Sequence, residues 1–465
     1  MNNYFKGKKI TVMGLGILGR GVGDVKFLAE SDADLIVTDL KSSAQLRMSL
    51  QKLREYKNIK YVLGKHDLKN FRDRDMVLKS AGVPLDSSYI KEAKKNKIPI
   101  EMSASLVAKL SPATIIGITG TRGKSTVTQM IYEVLKINEK QRINLCRDKG
   151  LSFVKRNIFL GGNIRGIATL PLLKKAKKGD IIVMELDSWQ LQGFGDSKIS
   201  PRISVFTNLL SDHMNYYNNS MVKYFKDKAN IYKYQRNGDY LIAGKEIAKK
   251  IKRKSIVPKS LPKNWKLKIV GEHNRENASF AADTARIACV PQSIIKKVIE
   301  NFKGVEGRLE YIKTIRGIKI YNDNNATTPD ATIVALKTLG NKNKNIVLII
   351  GGADKGLDIS KLIKEIQKYC NTIILLSGTG TDKLKNEARI MNQEQRQNHD
   401  SLFIIPDLKI IKKEAKNLKI ALLLAMKNSK NGNILLFSPA FASFGMFKNE
   451  YDRNDKFINL VKKLK

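Results

Sequence analysis

Residues 117–126 read Gly-Ile-Thr-Gly-Thr-Arg-Gly-Lys-Ser-Thr. They follow the apolar run Ala113–Ile118 and precede Val127–Leu135, whose apolar residues recur at helical spacing. A glycine-rich turn between a buried strand and a helix can aim backbone N–H groups at phosphate oxygens, and the helix N-terminus adds partial positive charge. Gly120, Thr121 and Gly123 would shape that turn, and Lys124 would supply a point charge for the β- and γ-phosphates. Ser125 and Thr126 open the helix, with the Ser125 hydroxyl placed to hold Mg²⁺. The common pattern G-x-x-x-x-G-K-[ST] needs glycine at 118, where this chain has Ile118. The loop is instead Thr-Gly-Thr-x-Gly-Lys-Ser-Thr, tighter than the common form.

Three more residues could join this chemistry. Glu185 ends the stretch Asp180–Met184 and is followed by Leu186-Asp-Ser-Trp-Gln-Leu191. An acid at the carboxyl end of a strand can hold a metal that bridges nucleotide and substrate, or it can cap the next helix. His213 follows Thr207-Asn-Leu-Leu-Ser-Asp212, again after a strand, and Lys228 closes Tyr224-Phe-Lys-Asp-Lys228 on the helix behind it. An imidazole can ligate a metal. A lysine close to a metal and a phosphate can be carbamylated, which turns a repelling cation into an anion that ligates or orients Mg²⁺. Spacing alone leaves His213 and Lys228 open between these roles and structural ones.

The elements that must position these residues divide the chain into three α/β segments. The first has a strand at Lys9–Met13, a turn Gly14-Leu-Gly-Ile-Leu-Gly-Arg-Gly, a helix, and a strand Leu35–Thr38 ending in Asp39. That arrangement is similar to a dinucleotide fingerprint with an acid after the second strand. Further strands are predicted near Lys60–Leu63, Met76–Lys79 and Ile98–Glu101, and the segment ends near Leu110-Ser-Pro112. The second segment holds the phosphate loop, strands near Asn157–Leu160, Ile181–Glu185 and Ser204–Asn208, a basic loop Lys249–Lys268, and a small-residue helix Asn277–Cys289. The third begins after Gly307-Arg308, with strands Lys319–Asn322, Asn345–Ile350, Thr372–Leu376 and Ile434–Phe437. Strands separated by helical stretches imply largely parallel sheets.

With 465 residues and 42% apolar content, several domains with real cores are expected. Apolar runs such as Ile346–Ile350 and Ile420–Met426 are far shorter than a membrane span. The basic N-terminus is followed by Gly14, Gly16 and Gly19, which suits a strand–turn–helix better than a signal peptide. Cys146, Cys289 and Cys370 are widely spaced and form neither a disulfide framework nor a metal motif. A cytoplasmic protein is expected. The net charge of +42 raises the reading of a basic, nucleic-acid-binding P-loop ATPase. The lysines are spread along the whole chain, however, and that reading leaves Glu185, His213 and Lys228 without a joint role.

With these residues in hand, the chain resembles the Mur ligases, and most of all the branch that joins D-glutamate to UDP-N-acetylmuramoyl-L-alanine. The resemblance rests on Gly14–Gly19, Ser80-Ala-Gly-Val83, Thr119–Thr126, Gly161-Gly-Asn-Ile164, Glu185–Leu191, Asn208–Lys228, Gly271–Asn277, Gly307-Arg308, Asn322–Thr328, Gly351–Lys355 and Ser438–Lys448, in that order. It implies an α/β fold of three domains: a Rossmann-like uridine-nucleotide domain at 1–110, a central P-loop ATPase domain with a mostly parallel sheet at 111–305, and a Rossmann-like amino-acid domain at 306–465. It implies ATP, two Mg²⁺ sites and a carbamylated Lys228. Lys124 would bind the ATP phosphates, Ser125, Glu185 and His213 the metals, Asn274 and Asn277 the adenine side, and Arg308 with Asp323 the nucleotide from the third domain. Gly14, Gly16, Ile17, Asp39, Ser80, Gly82, Asn163 and Gln190 would hold the uridine-nucleotide substrate. Thr327, Lys355, Ser443 and Phe444 would surround the incoming amino acid. The implied enzyme makes an amide through an acyl phosphate in peptidoglycan-precursor synthesis, acts as a monomer, and needs neither nucleic acid nor membrane.

The chain departs from that pattern at several points. Arg122 stands where the family usually has Asn, and resembles the Thr-Arg-Gly-Lys-Ser loop of poly-γ-glutamate synthases. Asp187 and Trp189 replace a usual Ser and Phe, Asn324-Asn325 a common Ser-Lys, and Glu450-Tyr451 an aromatic–acid order. An acid at 450 could repel D-glutamate or select another acceptor, so a superfamily member with a different amino acid or carboxylate substrate is the alternative enzyme.

Overall fold

Short runs of β-branched and aliphatic residues dictate the strands, and the central ones are buried nearly end to end, as parallel sheets covered on both faces require. The computed structural model describes residues 3–17, 19–148, 154–397 and 409–464. Leu18 of the glycine turn lies outside them, and so does the side chain of Cys146. The first sheet comprises β1 (Lys9–Met13), β2 (Asp34–Asp39), β3 (Ile59–Leu63), β4 (Met76–Lys79) and β5 (Ile100–Glu101). All pairs are parallel in the order β3-β2-β1-β4-β5. The chain leaves β1 toward β2 on one side and returns to β4 on the other, which opens a crevice at the carboxyl ends of β1 and β4.

The second sheet comprises β6 (Thr114–Thr119), β7 (Ile158–Gly162), β8 (Ile181–Glu185), β9 (Ile203–Phe206) and β10 (Tyr240–Ala243), in the order β10-β9-β6-β8-β7 and again parallel. The third comprises β11 (Glu310–Ile315), β12 (Ile318–Asn322), β13 (Ile346–Ile350), β14 (Cys370–Leu376), β15 (Lys409–Ala415) and β16 (Ile434–Phe437). Its order is β11-β12-β16-β13-β14-β15, parallel except for the β11–β12 hairpin. Arg316 and Gly317, both at positive φ, make that hairpin's turn.

Most expected strands fall where the apolar runs are, but some details differ. β5 has two residues rather than four, because Lys97 takes φ 56 and Pro99 has no N–H to pair, so the ladder starts at Ile100. The edge strands β10, β11 and β15 escaped the sequence reading. The helix after the phosphate loop spans Lys124–Asp148, and the small-residue helix spans Glu272–Ile287 rather than ending at Cys289. The basic loop is not purely a solvated face: Leu261 and Trp265 are buried, and Arg275 donates to the carbonyls of Leu261, Pro262 and Trp265. No helix among the described residues is long and apolar enough to cross a membrane.

The chain divides into two compact units, Met1–Leu267 with His273–Asn301, and Lys268–Glu272 with Phe302–Lys465. Within the first unit, one apolar core joins residues of both sheets, from Ile10 and Val37 to Ile182 and Phe206. Polar straps reinforce it. Arg20 donates to Asn163, Lys174 pairs with Glu30 at 2.8 Å, and buried Asp24 accepts from Ser103 Oγ and from the Leu170 amide at 2.9 Å. Burial raises the Asp24 carboxyl to about 6 against the pull of those donors.

The folded state therefore holds a proton on Asp24 that the unfolded chain has released by about pH 4. Asp24 should lower stability progressively as pH rises from about 4 to 6, with no further change above. In urea titrations, Asp24→Asn should gain on the wild type over that window and hold a constant difference beyond it. A difference independent of pH would contradict this.

Candidate active site

The phosphate loop is built from its ends inward. β6 delivers Thr119, whose hydroxyl donates to the Leu186 carbonyl at 2.7 Å, and Gly120 then turns at φ 141. A Cβ at Gly120 would stand 1.9 Å from Thr207 Oγ1, so only glycine fits. Gly123, at φ 85, carries the Asn277 side chain against its Cα; a Cβ there would lie 2.3 Å from Asn277 Oδ1. The segment after β9 holds the loop from behind. The Thr121 amide donates to the Asn208 carbonyl, the Arg122 amide to Asn208 Oδ1, and Thr207 Oγ1 to the Arg122 carbonyl at 2.6 Å. Thr121 Oγ1 exchanges hydrogen bonds with Leu210.

Two lysines meet this loop. Lys124 Nζ, at the start of the helix, donates to the carbonyls of Gly120 and Thr121 at 3.0 and 3.1 Å. Lys228, on the helix Met221–Ala229 and 1% exposed, donates to the same Gly120 carbonyl at 2.9 Å and to Thr119 Oγ1 at 3.3 Å. Burial, and then the Lys124 cation, hold the Lys228 amine well below its usual value, while Asp187, Asp212 and Glu185 pull it upward. Glu185 is buried at the end of β8, next to β6 in register with Ile118. Its carbonyl accepts the Asn163 amide.

His213 sits in a tight turn at φ 55, its ring 4.7 Å from Trp189. Asp212 beside it pairs with Arg122 Nη1 at 3.0 Å, so the unusual arginine ties the phosphate loop to the His213 segment. Asp187 caps the helix Ser188–Asp196 in a reciprocal box with Gln190, whose side-chain carbonyl is thereby engaged. Trp189 thus packs where it can orient the imidazole. The Asp187–Gln190 box is a local i, i+3 pattern, whereas the Arg122–Asp212 and Trp189–His213 contacts were not legible from spacing.

The first sheet contributes a second group of the expected residues. Ser80 Oγ lies within hydrogen-bond reach of the Met13 and Gly14 carbonyls, which joins the turns after β1 and β4. Asp39 spends its two oxygens on the Gly16 and Lys41 amides. Ile17 and Gly82 are exposed, and Asn163 is fixed by Arg20. Asn274 and Asn277 bond each other at 3.2 Å on the helix Glu272–Ile287.

The second unit gathers the rest by itself. Asp323 accepts from the Leu309 amide and from Ser438 Oγ, and Arg308 keeps a buried Nε with no hydrogen-bond partner. Lys355 Nζ donates to Thr327 Oγ1 at 3.1 Å; Ser443 is buried and Phe444 exposed. Arg453, fully buried, was missed in the sequence. It donates to Asn324 Oδ1 and to the Asn324 and Phe441 carbonyls, and so ties the segment before Thr327 to the one before Ser443. The Glu450 charge acts on Arg453, so that acid does not stand alone.

Among the described residues no group of three or more His, Cys, Asp or Glu forms a ready-made metal cage. Mg²⁺ is commonly held by one or two carboxylates together with phosphate oxygens rather than by an all-protein cage. Glu185, buried at the end of β8, and Ser125, in the first turn of the helix after the loop, are donor types of that kind.

Comparison with known proteins agrees along the chain. Residues 8–101 match the model for the Mur ligase MurD-like N-terminal domain, 118–263 the Mur ligase middle domain, and 307–441 the Mur ligase glutamate ligase domain. The chain is 33% identical to the UDP-N-acetylmuramoylalanine–D-glutamate ligase of Borreliella burgdorferi (strain ZS7), over 99% of this chain and 98% of that protein. It is 30% identical to the protein of that name from Clostridioides difficile, over 99% of both. Among solved structures, UDP-N-acetylmuramate–alanine ligase of Thermotoga maritima shares the fold, with a TM-score of 0.59 at 20% identity over 98% of this chain and 100% of that one.

Gly120→Ala should combine backbone strain of about 1–3 kcal/mol with displacement of Thr207. We expect a lowered melting temperature and at least tenfold weaker ATP binding by titration. Gly82→Ala, with open space around its Cα, should be neutral in both. Unchanged ATP affinity in Gly120→Ala would contradict the loop geometry.

Proposed function

The chain belongs to the Mur ligase family, and from that premise we propose that it joins D-glutamate to UDP-N-acetylmuramoyl-L-alanine at the expense of ATP, a step in peptidoglycan-precursor synthesis. In the first step, a carboxylate oxygen of the alanyl terminus attacks the γ-phosphorus of ATP. The bond to the β,γ-bridging oxygen breaks, leaving an acyl phosphate and ADP. In the second, the D-glutamate amine adds to the acyl carbon, and phosphate departs with one amine proton as the amide forms.

The residues of the chain do the positioning. Lys124 and the loop amides would follow the γ-phosphoryl group as its charge shifts, since phosphoryl transfer rests on alignment and neutralisation. Ser125, Glu185 and His213 would hold Mg²⁺ at two sites, where the ion supplies charge neutralisation on the phosphate oxygens. Lys228 is proposed to carry a carbamate: burial lowers the proton affinity of its amine, which favours the neutral form that adds to CO₂, and the product anion suits a site crowded with cations. Asn274 and Asn277 would meet the adenine side, and Arg308 with Asp323 the nucleotide. Gly14, Gly16, Ile17, Asp39, Ser80, Gly82, Asn163 and Gln190 would hold the uridine-nucleotide substrate.

Lys355, Thr327, Ser443 and Phe444 would receive D-glutamate, with Lys355 facing a carboxylate. The Glu450 charge acts on the buried Arg453, which supports an acidic acceptor here. The domains are proposed at 1–110, 111–305 and 306–465, and the enzyme as a cytoplasmic monomer.

The observation that supports this reading most is the meeting of Lys124 and Lys228 on the Gly120 carbonyl, with the Glu185 charge felt at Lys228. Phosphate release should require ATP, Mg²⁺, UDP-N-acetylmuramoyl-L-alanine and D-glutamate together. A panel of other D- and L-amino acids should give at most about a hundredth of that rate, a discrimination worth roughly 3 kcal/mol. Turnover with another amino acid in preference to D-glutamate would overturn the acceptor assignment.

A further inference from the structure

Lys79 is the last residue of β4, at the carboxyl edge where the first sheet opens its crevice. It is 2% exposed. Its Nζ donates to the Val83 carbonyl at 2.8 Å and the Ser80 carbonyl at 3.4 Å, both in the turn that follows β4. No carboxylate lies within ion-pair distance of it among the described residues. Asp187, Asp196 and Asp227 act on it only at longer range, with Lys94 opposing them. A buried lysine without a contacting carboxylate costs stability, and an apolar side chain of similar length usually costs less there. Such a residue is a candidate for function rather than for folding.

The geometry gives it a task. An anion entering the crevice between β1 and β4 meets the segments Gly14–Ile17 and Ser80–Val83, which Ser80 Oγ joins through the Met13 and Gly14 carbonyls. Carbonyl oxygens facing that crevice would repel a diphosphate. The Lys79 ammonium draws the Ser80 and Val83 carbonyls toward itself, and adds positive potential at the crevice floor. We propose that Lys79 is a positioning residue for the uridine-nucleotide substrate, holding the Ser80–Val83 turn in the form that accepts its diphosphate. This rests on the reading that the first sheet receives that substrate. Burial lowers the Lys79 amine to about 8, so the turn should lose its anchor charge as pH rises through that region. Asp187, Asp196 and Asp227, which face it, and Lys94 are the other charged groups that set where this happens.

The test uses the whole enzyme and calorimetric titration with UDP and with UDP-N-acetylmuramoyl-L-alanine. Lys79→Met should bind both at least tenfold more weakly, raise KM for the uridine nucleotide by a similar factor, and leave KM for ATP within twofold. Its melting temperature should equal or exceed that of the wild type. Wild-type affinity should fall between pH 7 and 9, and that slope should vanish in Lys79→Met. Lys79→Gln, which keeps a donor but no charge, guards against a folding failure and should show the same loss of slope. If the wild type binds and both variants match it, the inference falls while the functional reading stands. A lower melting temperature together with weaker binding of ATP and uridine nucleotide alike would make Lys79 merely structural and overturn it too. If the wild type binds neither uridine compound, the functional reading fails instead.

Discussion

Two lysine Nζ atoms converge on one carbonyl oxygen, and the rest of the site is arranged around that fact. Lys124 and Lys228 both donate to Gly120. Water is excluded from Lys228, so a second full positive charge there is costly. The structure meets the constraint by depressing the Lys228 amine, with Asp187, Asp212 and Glu185 as the countervailing charges. A triphosphate is the natural partner for Lys124, and a neutral amine is the natural starting point for modification of Lys228. The glycines of the loop, the Thr207–Leu210 backing and the Asn277 contact all serve to keep the Gly120 carbonyl where both lysines reach it.

The same logic explains why the loop tolerates Arg122. Its guanidinium is spent on Asp212, and its amide and carbonyl are held by Asn208 and Thr207. An extra cation in the loop is thus matched by an acid already next to His213. In the second unit, Arg453 plays a comparable part. Its burial pushes the guanidinium down to about 10, yet it is fully hydrogen-bonded across Asn324 and Phe441 and meets the charge of Glu450. Both Arg122 and the Asn324 departure are thus tied to a partner far along the chain.

What the chain disclosed of itself followed the range of each interaction. The phosphate loop was legible because its chemistry is contiguous: glycines, lysine and hydroxyls must be adjacent to cradle a phosphate. The central strands were legible because burial on both faces leaves an unbroken apolar run. The hairpin strand β11, with mostly exposed or partly exposed positions, gave no such run, and the four-residue run of β10 was too short to stand out. The contacts Arg122–Asp212 and Arg453–Asn324 join residues 90 and 129 positions apart, which no local pattern encodes. Lys79 read as one more lysine in a lysine-rich chain, because its burial is set by tertiary packing and not by any local pattern.

The central claim is that Lys228, its proton affinity lowered by burial, is a modifiable amine over the phosphate loop. Carbon-13 NMR of the enzyme equilibrated with ¹³C-bicarbonate tests it most directly. The account predicts one protein-bound carbamate carbonyl resonance that is absent from Lys228→Met, while Lys124→Met retains it. A wild-type spectrum with no such resonance, or one that survives in Lys228→Met, would contradict it.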